Sequence, residues 1–214
     1  MYLEKTNFLS PDQFGFRPNM GTEDAIYKLT ETIVNKLESK EKTIAVFLDL
    51  RKAFDLVNHE ILLDKLSSIG IKDLAHDVIK SYFNNRPQHT KIGTHVSDPA
   101  FIKAGVPQGT ILGPLFFLIY INSLCSIDHP CTLLSYADDT CLILSSSSWK
   151  ETKCMTERCM QTIINHLSSN CLALNIEKTN FICFHNGKRC APQTDLIIKL
   201  HSFNCHNESG CSCP

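Results

Sequence analysis

No cysteine precedes Cys125, although the 214-residue chain contains 11. A disulfide scaffold needs cysteines along the whole chain, in even number and regular spacing. Here the count is odd and no Cys-x-x-Cys pair occurs. Most of the cysteines are therefore read as buried thiols in a reducing compartment, packing as small hydrophobes. The start, MYLEKTNFLSPDQ, lacks the apolar stretch of a signal peptide, so a secreted product is not expected. The longest apolar run, ILGPLFFLIYI at residues 111–121, is too short to span a bilayer and holds Gly113 and Pro114. No membrane association is expected. Nor is there an excess of positive charge: the formal net charge is -1, which by itself offers little attraction to a phosphate backbone. Internal repeats are absent too, which excludes solenoids and arrays.

What is present is an ordinary globular pattern. Residues 1–20 are rich in turn formers, and Thr22 is placed to cap a helix over residues 23–39, with Ala25, Ile26, Leu29, Ile33, Val34 and Leu37 at helical spacing. TIAVFLDL, residues 43–50, is apolar until Asp49 and suits a central strand buried on both faces. Helices are expected over residues 58–68, ended by Gly70, and over 72–84. Residues 88–104 read as strand, turn and strand around Gly93, followed by a helix over about 111–124. CTLLSYA and TCLILS read as two strands joined by a tight turn at Asp138-Asp139. A helix over 149–170 follows, then a strand pair, LALNI and FICFH. The order predicts an α+β fold, an antiparallel sheet with helices packed on one face.

Three carboxylates stand out. Asp49 ends an otherwise uncharged strand, and Asp138 and Asp139 sit at the turn between two apolar strands. If the hairpin lies beside the strand of Asp49, all three meet at one sheet edge. Like charges gathered there need compensation, which a hard divalent cation supplies. Taken alone, each aspartate is more readily an ordinary turn residue.

The surrounding sequences decide the weighting. FLDLRKAFDLVNH (47–59), GVPQGTILGPLFFLIYIN (105–122) and YADDT (136–140) resemble the palm motifs of reverse transcriptases, those of non-LTR retrotransposons of the LINE-like, jockey-like kind. QFGFRPNMGTEDAI (13–26) and LALNIEKTNFICF (172–184) are similar to the flanking motifs of that family. The five occur in the family's order over about residues 13–184. The resemblance implies a polymerase palm with partial fingers, divided as residues 1–40 (fingers segment), 41–188 (palm) and 189–214 (divergent cysteine-rich tail). It implies RNA-directed DNA polymerase activity with Mg²⁺ or Mn²⁺, two ions in the substrate-bound state. The implied partners are an RNA template, a DNA primer and dNTP, within a longer polyprotein of the nucleus and cytoplasm.

Roles follow by position. Asp49, Asp138 and Asp139 match the metal-binding aspartates, with the Leu50 carbonyl near the metal. Phe54 matches the aromatic gate beneath the incoming sugar, and Gln108, followed by Gly109, the glutamine beside the nascent base pair. Tyr136 is expected near the primer end and Ala137 on the floor beside the nucleotide. Lys178 resembles a lysine proposed to protonate pyrophosphate, and is equally readable as a solvated turn lysine. Arg17 matches an arginine that contacts template or braces fingers against palm.

The family's first fingers segment, primer grip and thumb have no counterpart in the chain. That leaves a rival reading, a catalytically silent palm remnant that binds nucleic acid or is merely structural. An RNA-dependent RNA polymerase is a second rival, against which Phe54 and the Pro107-Gln108-Gly109 sequence argue. His201, Cys205, His206, Cys211 and Cys213 could ligate a soft metal, but their spacing matches neither a zinc finger nor a zinc knuckle, and they are read as an unstructured end.

Overall fold

One strand buried on both faces, with antiparallel ladders on both sides of it, organises the sheet. A computed structural model describes residues 2–127, 130–187, 191–192 and 197–200. The tail ligands named above, with Cys190, lie outside the described residues. The chain forms two compact units, Met1–Leu9 with Lys52–Ser123, and Ser10–Arg51 with Leu124–Pro214.

The elements follow in chain order. A short α1 (Tyr2–Lys5) precedes α2 (Thr22–Glu38), β1 (Lys42–Leu48), α3 (His59–Ser68) and α4 (Asp73–Phe83). Four two-residue strands come next: β2 (Pro87–Gln88), β3 (Lys91–Ile92), β4 (His95–Val96) and β5 (Ala100–Phe101). Then come α5 (Leu112–Ile121), a 3₁₀ turn (Asn122–Ser126), β6 (Thr132–Tyr136), β7 (Asp139–Ser146), α6 (Trp149–Ser169) and β8 (Asn180–Phe184).

The unit containing β1 is a mixed α+β fold built on an antiparallel sheet of order β6-β7-β1-β8. β1 is central, as its apolar run predicts: Ala45 pairs with Ile143 and Ile182, and Val46 with Leu142 and Phe181. One face takes α2, with Ile33 buried against Phe14, Ala45, Leu134, Cys141 and Ile143. The alternate positions Ile44, Val46, Leu142 and Leu144 are equally buried, and α6 lies against β1 and β7. Ser148 caps α6, accepting from the Glu151 N–H, and buried Thr152 donates to the Lys42 carbonyl at 2.8 Å.

The other unit packs α3 against α4 and α5. The Asn58 side chain caps α3 by accepting from the Glu60 and Ile61 N–H groups. Gly70, at φ +89°, lies just beyond the end of α3, as expected. The strand–turn–strand region is slighter than its reading suggested: β2 pairs with β5 and β3 with β4 over two residues each, all exposed.

Four expectations need correction. The α2 cap is Gly21 rather than Thr22: the Asp24 carboxylate accepts from the Gly21 N–H at 2.7 Å, leaving Thr22 inside the helix. Ile26 and Val34, expected on the apolar stripe of α2, are exposed, because only the narrower line through Ala25, Leu29, Ile33 and Leu37 meets the sheet. LALNI is not a strand; Leu174 makes one isolated bridge to Leu50 before the chain turns back. Of the seven cysteines among the described residues, only Cys141 and Cys159 are buried, while Cys154 and Cys171 are exposed.

Candidate active site

The three aspartates reach one neighbourhood because β1 and β7 are antiparallel. Leu48 pairs with Thr140, which sets Asp49, just past the end of β1, beside the β6–β7 turn. Tyr136 pairs with Asp139 across that hairpin, so Ala137 and Asp138 form its turn. Burial pushes the Asp139 carboxyl above the usual carboxylate range, and the charges of Asp138 and Asp49 push it further. Asp49 and Asp138 are half-buried, whereas Asp139 is an exposed residue overall. Among the described residues, no group of three His, Cys, Asp or Glu side chains is gathered closely enough to hold a metal ion. The donor set nevertheless has the chemistry of a hard-cation site: three carboxylates, oxygen donors only, with Asp49 and Asp138 near enough to act on Asp139.

The backbone of Asp49 is fixed from the far side of the sheet edge. Its carbonyl accepts from the Asn175 N–H at 2.8 Å, and its N–H donates to Thr179 Oγ1 at 3.4 Å. Arg51 N–H donates to the Ala173 carbonyl at 2.9 Å, beside the Leu50–Leu174 bridge. Lys178 is exposed in the turn between those two Asp49 anchors.

The hairpin turn is held by Gln13, a residue quoted in a motif and assigned no role from sequence. Ala137 is a non-glycine residue at φ +59°, a left-handed conformation that L side chains rarely adopt. Gln13, fully buried, accepts through Oε1 from the Ala137 N–H at 3.0 Å and from the Gly15 N–H at 2.9 Å. Its Nε2 donates, over longer distances, to the Ala137 carbonyl at 3.4 Å and Ser135 Oγ at 3.3 Å. Gly15 is required there, since a Cβ would stand 2.3 Å from the Ala137 nitrogen. Phe14 N–H donates to the Ser135 carbonyl and Ser135 N–H to the Asp12 carbonyl, both at 2.8 Å, so residues 12–14 run along β6. Arg17 braces the same loop, donating to the Ser10 and Gln13 carbonyls at 2.6 and 3.0 Å. The glutamine two residues before a glycine lies inside a motif already singled out, but its partner is 124 residues away and the local sequence carries no signal of the clamp.

An apolar cavity of about 210 Å³ adjoins the hairpin, lined by Ala25, Leu29, Phe47, Tyr136 and Asp139 among others.

In the other unit, Phe54 is half-buried and stacks on Phe117 with ring centroids 4.2 Å apart. The turn carrying it is stapled to residues 105–106: Val106 N–H donates to the Phe54 carbonyl and Gly105 N–H to the Val57 carbonyl, both at 2.8 Å. Gly105 has φ +90°, and a Cβ there would meet the Asp55 carbonyl oxygen at 2.7 Å. Gln108 is exposed and donates to Asp55 Oδ1 at 2.9 Å. Gly109, at φ +74°, has open space around it. Pro114 falls in the first turn of α5, where its missing N–H costs nothing. Asp55, Gln108, Thr110, Phe101 and Arg86 line a cavity of about 800 Å³, with the Arg86 guanidinium 4.3 Å over the Tyr82 ring. Asp55 and Arg86 were not singled out from sequence, where each reads as one charged loop residue among many.

Among the described residues, no helix is long and apolar enough to cross a membrane.

Known proteins match this arrangement. The family described as reverse transcriptase (RNA-dependent DNA polymerase) matches residues 1–206. The probable RNA-directed DNA polymerase from transposon BS of Drosophila melanogaster is 31% identical over 198 residues, 85% of this chain and 21% of that protein. The RNA-directed DNA polymerase from mobile element jockey of the same organism is 28% identical over 195 residues, covering 88% and 21%. The chain thus spans about a fifth of the length of these relatives. Among solved structures, apo telomerase of Candida tropicalis, truncated from its C-terminal domain, has a TM-score of 0.62 at 19% identity, over 86% of this chain and 38% of that one. Telomerase of Candida albicans has the same TM-score, 0.62, at 15% identity, over 92% and 36%. At such identities the telomerases show a shared fold. The family match and the transposon relatives show more: this chain belongs to the reverse transcriptase family, and is homologous to the sequences carried by non-LTR retrotransposons.

Proposed function

We propose that this chain is the palm of an RNA-directed DNA polymerase that joins a deoxynucleotide to a primer 3′-hydroxyl. The observation that carries the reading is the register that brings Asp49, at the end of β1, beside Asp138 and Asp139 at the β6–β7 turn. Asp49, Asp138, Asp139 and the Leu50 carbonyl are the groups that would hold Mg²⁺ or Mn²⁺. When bound, a pair of such ions lowers the cost of the charge that develops on the attacking and leaving oxygens.

The chain's own residues supply position and shape. Asp49 is anchored through its backbone by Asn175 and Thr179, so its carboxylate starts from a fixed strand end. The hairpin presents Asp138 and Asp139 on a turn with little freedom, which favours a preorganised acidic edge over a mobile one. Phe54, packed on Phe117, is a rigid ring suited to exclude a 2′-hydroxyl, discriminating deoxy- from ribonucleotides by volume. Gln108 and Gly109 would lie along the nascent base pair, with Tyr136 near the primer end and Ala137 beneath the nucleotide. Lys178, exposed near the Asp49 anchors, is placed to neutralise or protonate pyrophosphate. The template is RNA and the primer DNA, and Arg17 acts by bracing the loop that clamps the hairpin.

One observation favours the rival, a silent palm remnant: the described carboxylates do not close into a ready metal site. In the polymerase reading, substrate phosphates supply the missing ligands. The test is primer extension on an RNA template with Mg²⁺, using a polypeptide continued to the length of its relatives. The expected outcome is extension with dNTP, weak use of rNTP, and a relaxed preference after Phe54→Ala. Equal use of both nucleotides by the unaltered protein would remove Phe54 from its gate role, and no extension at all would favour the remnant.

A further inference from the structure

We infer that Gln13 is a positioning residue for the acidic edge, acting through the backbone of Ala137 to set how Asp138 and Asp139 are presented to a divalent cation. The inference rests on the reading of those aspartates as metal-binding groups, and goes beyond it by naming what holds them.

The β6–β7 hairpin has a two-residue turn, and such turns require left-handed backbone, which glycine adopts freely. Here the first turn position is Ala137, at φ +59°. A turn of this kind does not hold its shape by intrinsic preference, so the surroundings must over-determine it. Two side chains do so, Gln13 and Ser135, whose Oγ donates to the Ala137 carbonyl at 3.3 Å. The Gln13 carboxamide meets both backbone polar groups of Ala137, accepting from its N–H at 3.0 Å and donating to its carbonyl at 3.4 Å. Ala137 itself is buried and Gln13 has no exposed surface, so water does not stand in for the amide.

The carboxamide is in turn oriented. Its oxygen also accepts from the Gly15 N–H at 2.9 Å, and its nitrogen donates to Ser135 Oγ, which shares a 3.1 Å hydrogen bond with Thr140 Oγ1. Thr140 pairs with Leu48, the residue before Asp49. The network therefore reaches from the loop of residues 10–17 to both strands that deliver the aspartates. A side chain needed only to fill the core would not require an amide matched to the N–H and C=O of the same strained residue.

Mn²⁺ binding by the 214-residue chain tests this, titrated by the electron paramagnetic resonance signal of the free ion alongside far-ultraviolet circular dichroism. Five samples are compared: the unaltered chain, Asp138→Asn, Gln13→Met (similar in length, without the amide) and Ala137→Gly with and without Gln13→Met. The expected result is binding by the unaltered chain, loss in Asp138→Asn, and affinity weakened about tenfold in Gln13→Met with the circular dichroism preserved. Glycine takes the left-handed turn without strain, so Gln13→Met should cost less affinity in the Ala137→Gly background. Unchanged affinity in Gln13→Met, or an equal loss in both backgrounds, would overturn the role of Gln13 while leaving the metal reading intact. Binding by Asp138→Asn equal to that of the unaltered chain would overturn the metal reading and this inference with it. Should Gln13→Met fail to fold, Ser135→Ala removes both an orienting partner of the amide and a direct hydrogen bond to the Ala137 carbonyl, and is expected to weaken binding about threefold. Unchanged affinity there would count against the clamp.

Discussion

The sheet that carries Asp49, Asp138 and Asp139 is held by long ladders, while the segment that carries Phe54 and Gln108 is held by turns. In the first region every position of β1 from Thr43 to Val46 is buried, and β1 pairs with β7 over seven residues. In the second, the contacts that matter are single staples between two loops, such as Val106 to Phe54 and Gln108 to Asp55. Register decides where the aspartates stand, because a slip of one residue would turn every side chain to the other face. Glycine geometry decides where Phe54 stands. The difference teaches that the strands delivering the acidic edge are built as core, whereas Phe54 and Gln108 sit on loops, which in the proposed reading suits residues that adjust to a substrate.

That contrast can be broken by substitution. Leu142→Ala, in a fully buried position of β7, should destabilise the chain by about 3 kcal/mol in urea unfolding. Ile92→Thr, on the exposed β3, should change stability by less than about 0.5 kcal/mol. Similar losses at the two positions would erase the distinction between core-built and loop-built regions.

A smaller effect sharpens the account of the second region. Gly105→Ala should cost about 2 kcal/mol, since it combines a left-handed backbone with a Cβ 2.7 Å from the Asp55 carbonyl oxygen. Gly109→Ala meets open space and should cost about 1 kcal/mol, from backbone strain alone. Thermal unfolding of both variants gives the ranking, and a reversed order would show that the staple at residues 105–106 does not hold the Phe54 turn.

The smallest expected effect concerns Lys65 on α3. Burial lowers its pKa from 10.5 to about 8, with Nζ hydrogen-bonded to the Tyr120 carbonyl and, at 3.0 Å, to Ser123 Oγ. Between pH 8 and 10.5 the unfolded chain holds more protons at this group than the folded one. Stability therefore rises with pH through that window, and the full penalty of the buried charge is felt below it. The difference in melting temperature between the unaltered chain and Lys65→Met should change by a degree or so, on the order of a few tenths of a kcal/mol, across that range. A pH-independent difference would mean that the ammonium is better solvated than its position implies.

Much of the sheet was legible because β1, β6 and β7 are apolar runs interrupted only where the chain turns; the meeting of Asp49 with Asp138 and Asp139 needed the further condition that the hairpin lie beside β1, which the β1–β7 pairing meets. LALNI misled because it shares the composition of a strand. Its hydrogen bonds instead go to the irregular backbone at Asp49–Arg51, and the turn after Asn175 ends any ladder. Ile26 and Val34 misled because helical spacing marks the apolar positions of a helix without saying how wide a stripe the sheet covers. Gln13 was quoted within a motif and given no role. Its importance lies in a contact 124 residues distant in sequence, which no local pattern encodes. The cysteines misled because their small size suits a core position without demanding one, and Cys154 and Cys171 sit on exposed helix and turn positions.

The central claim is that the acidic edge performs the chemistry. It is tested most directly by RNA-templated primer extension with Mg²⁺ and dNTP, comparing the unaltered polypeptide, continued to the length of its relatives, with Asp138→Asn. The account predicts extension by the first and a loss of about a hundredfold or more in the second, with the far-ultraviolet circular dichroism unchanged, because the substitution removes a charge from the metal-holding group without altering side-chain size. Ordinary turnover by Asp138→Asn would contradict it.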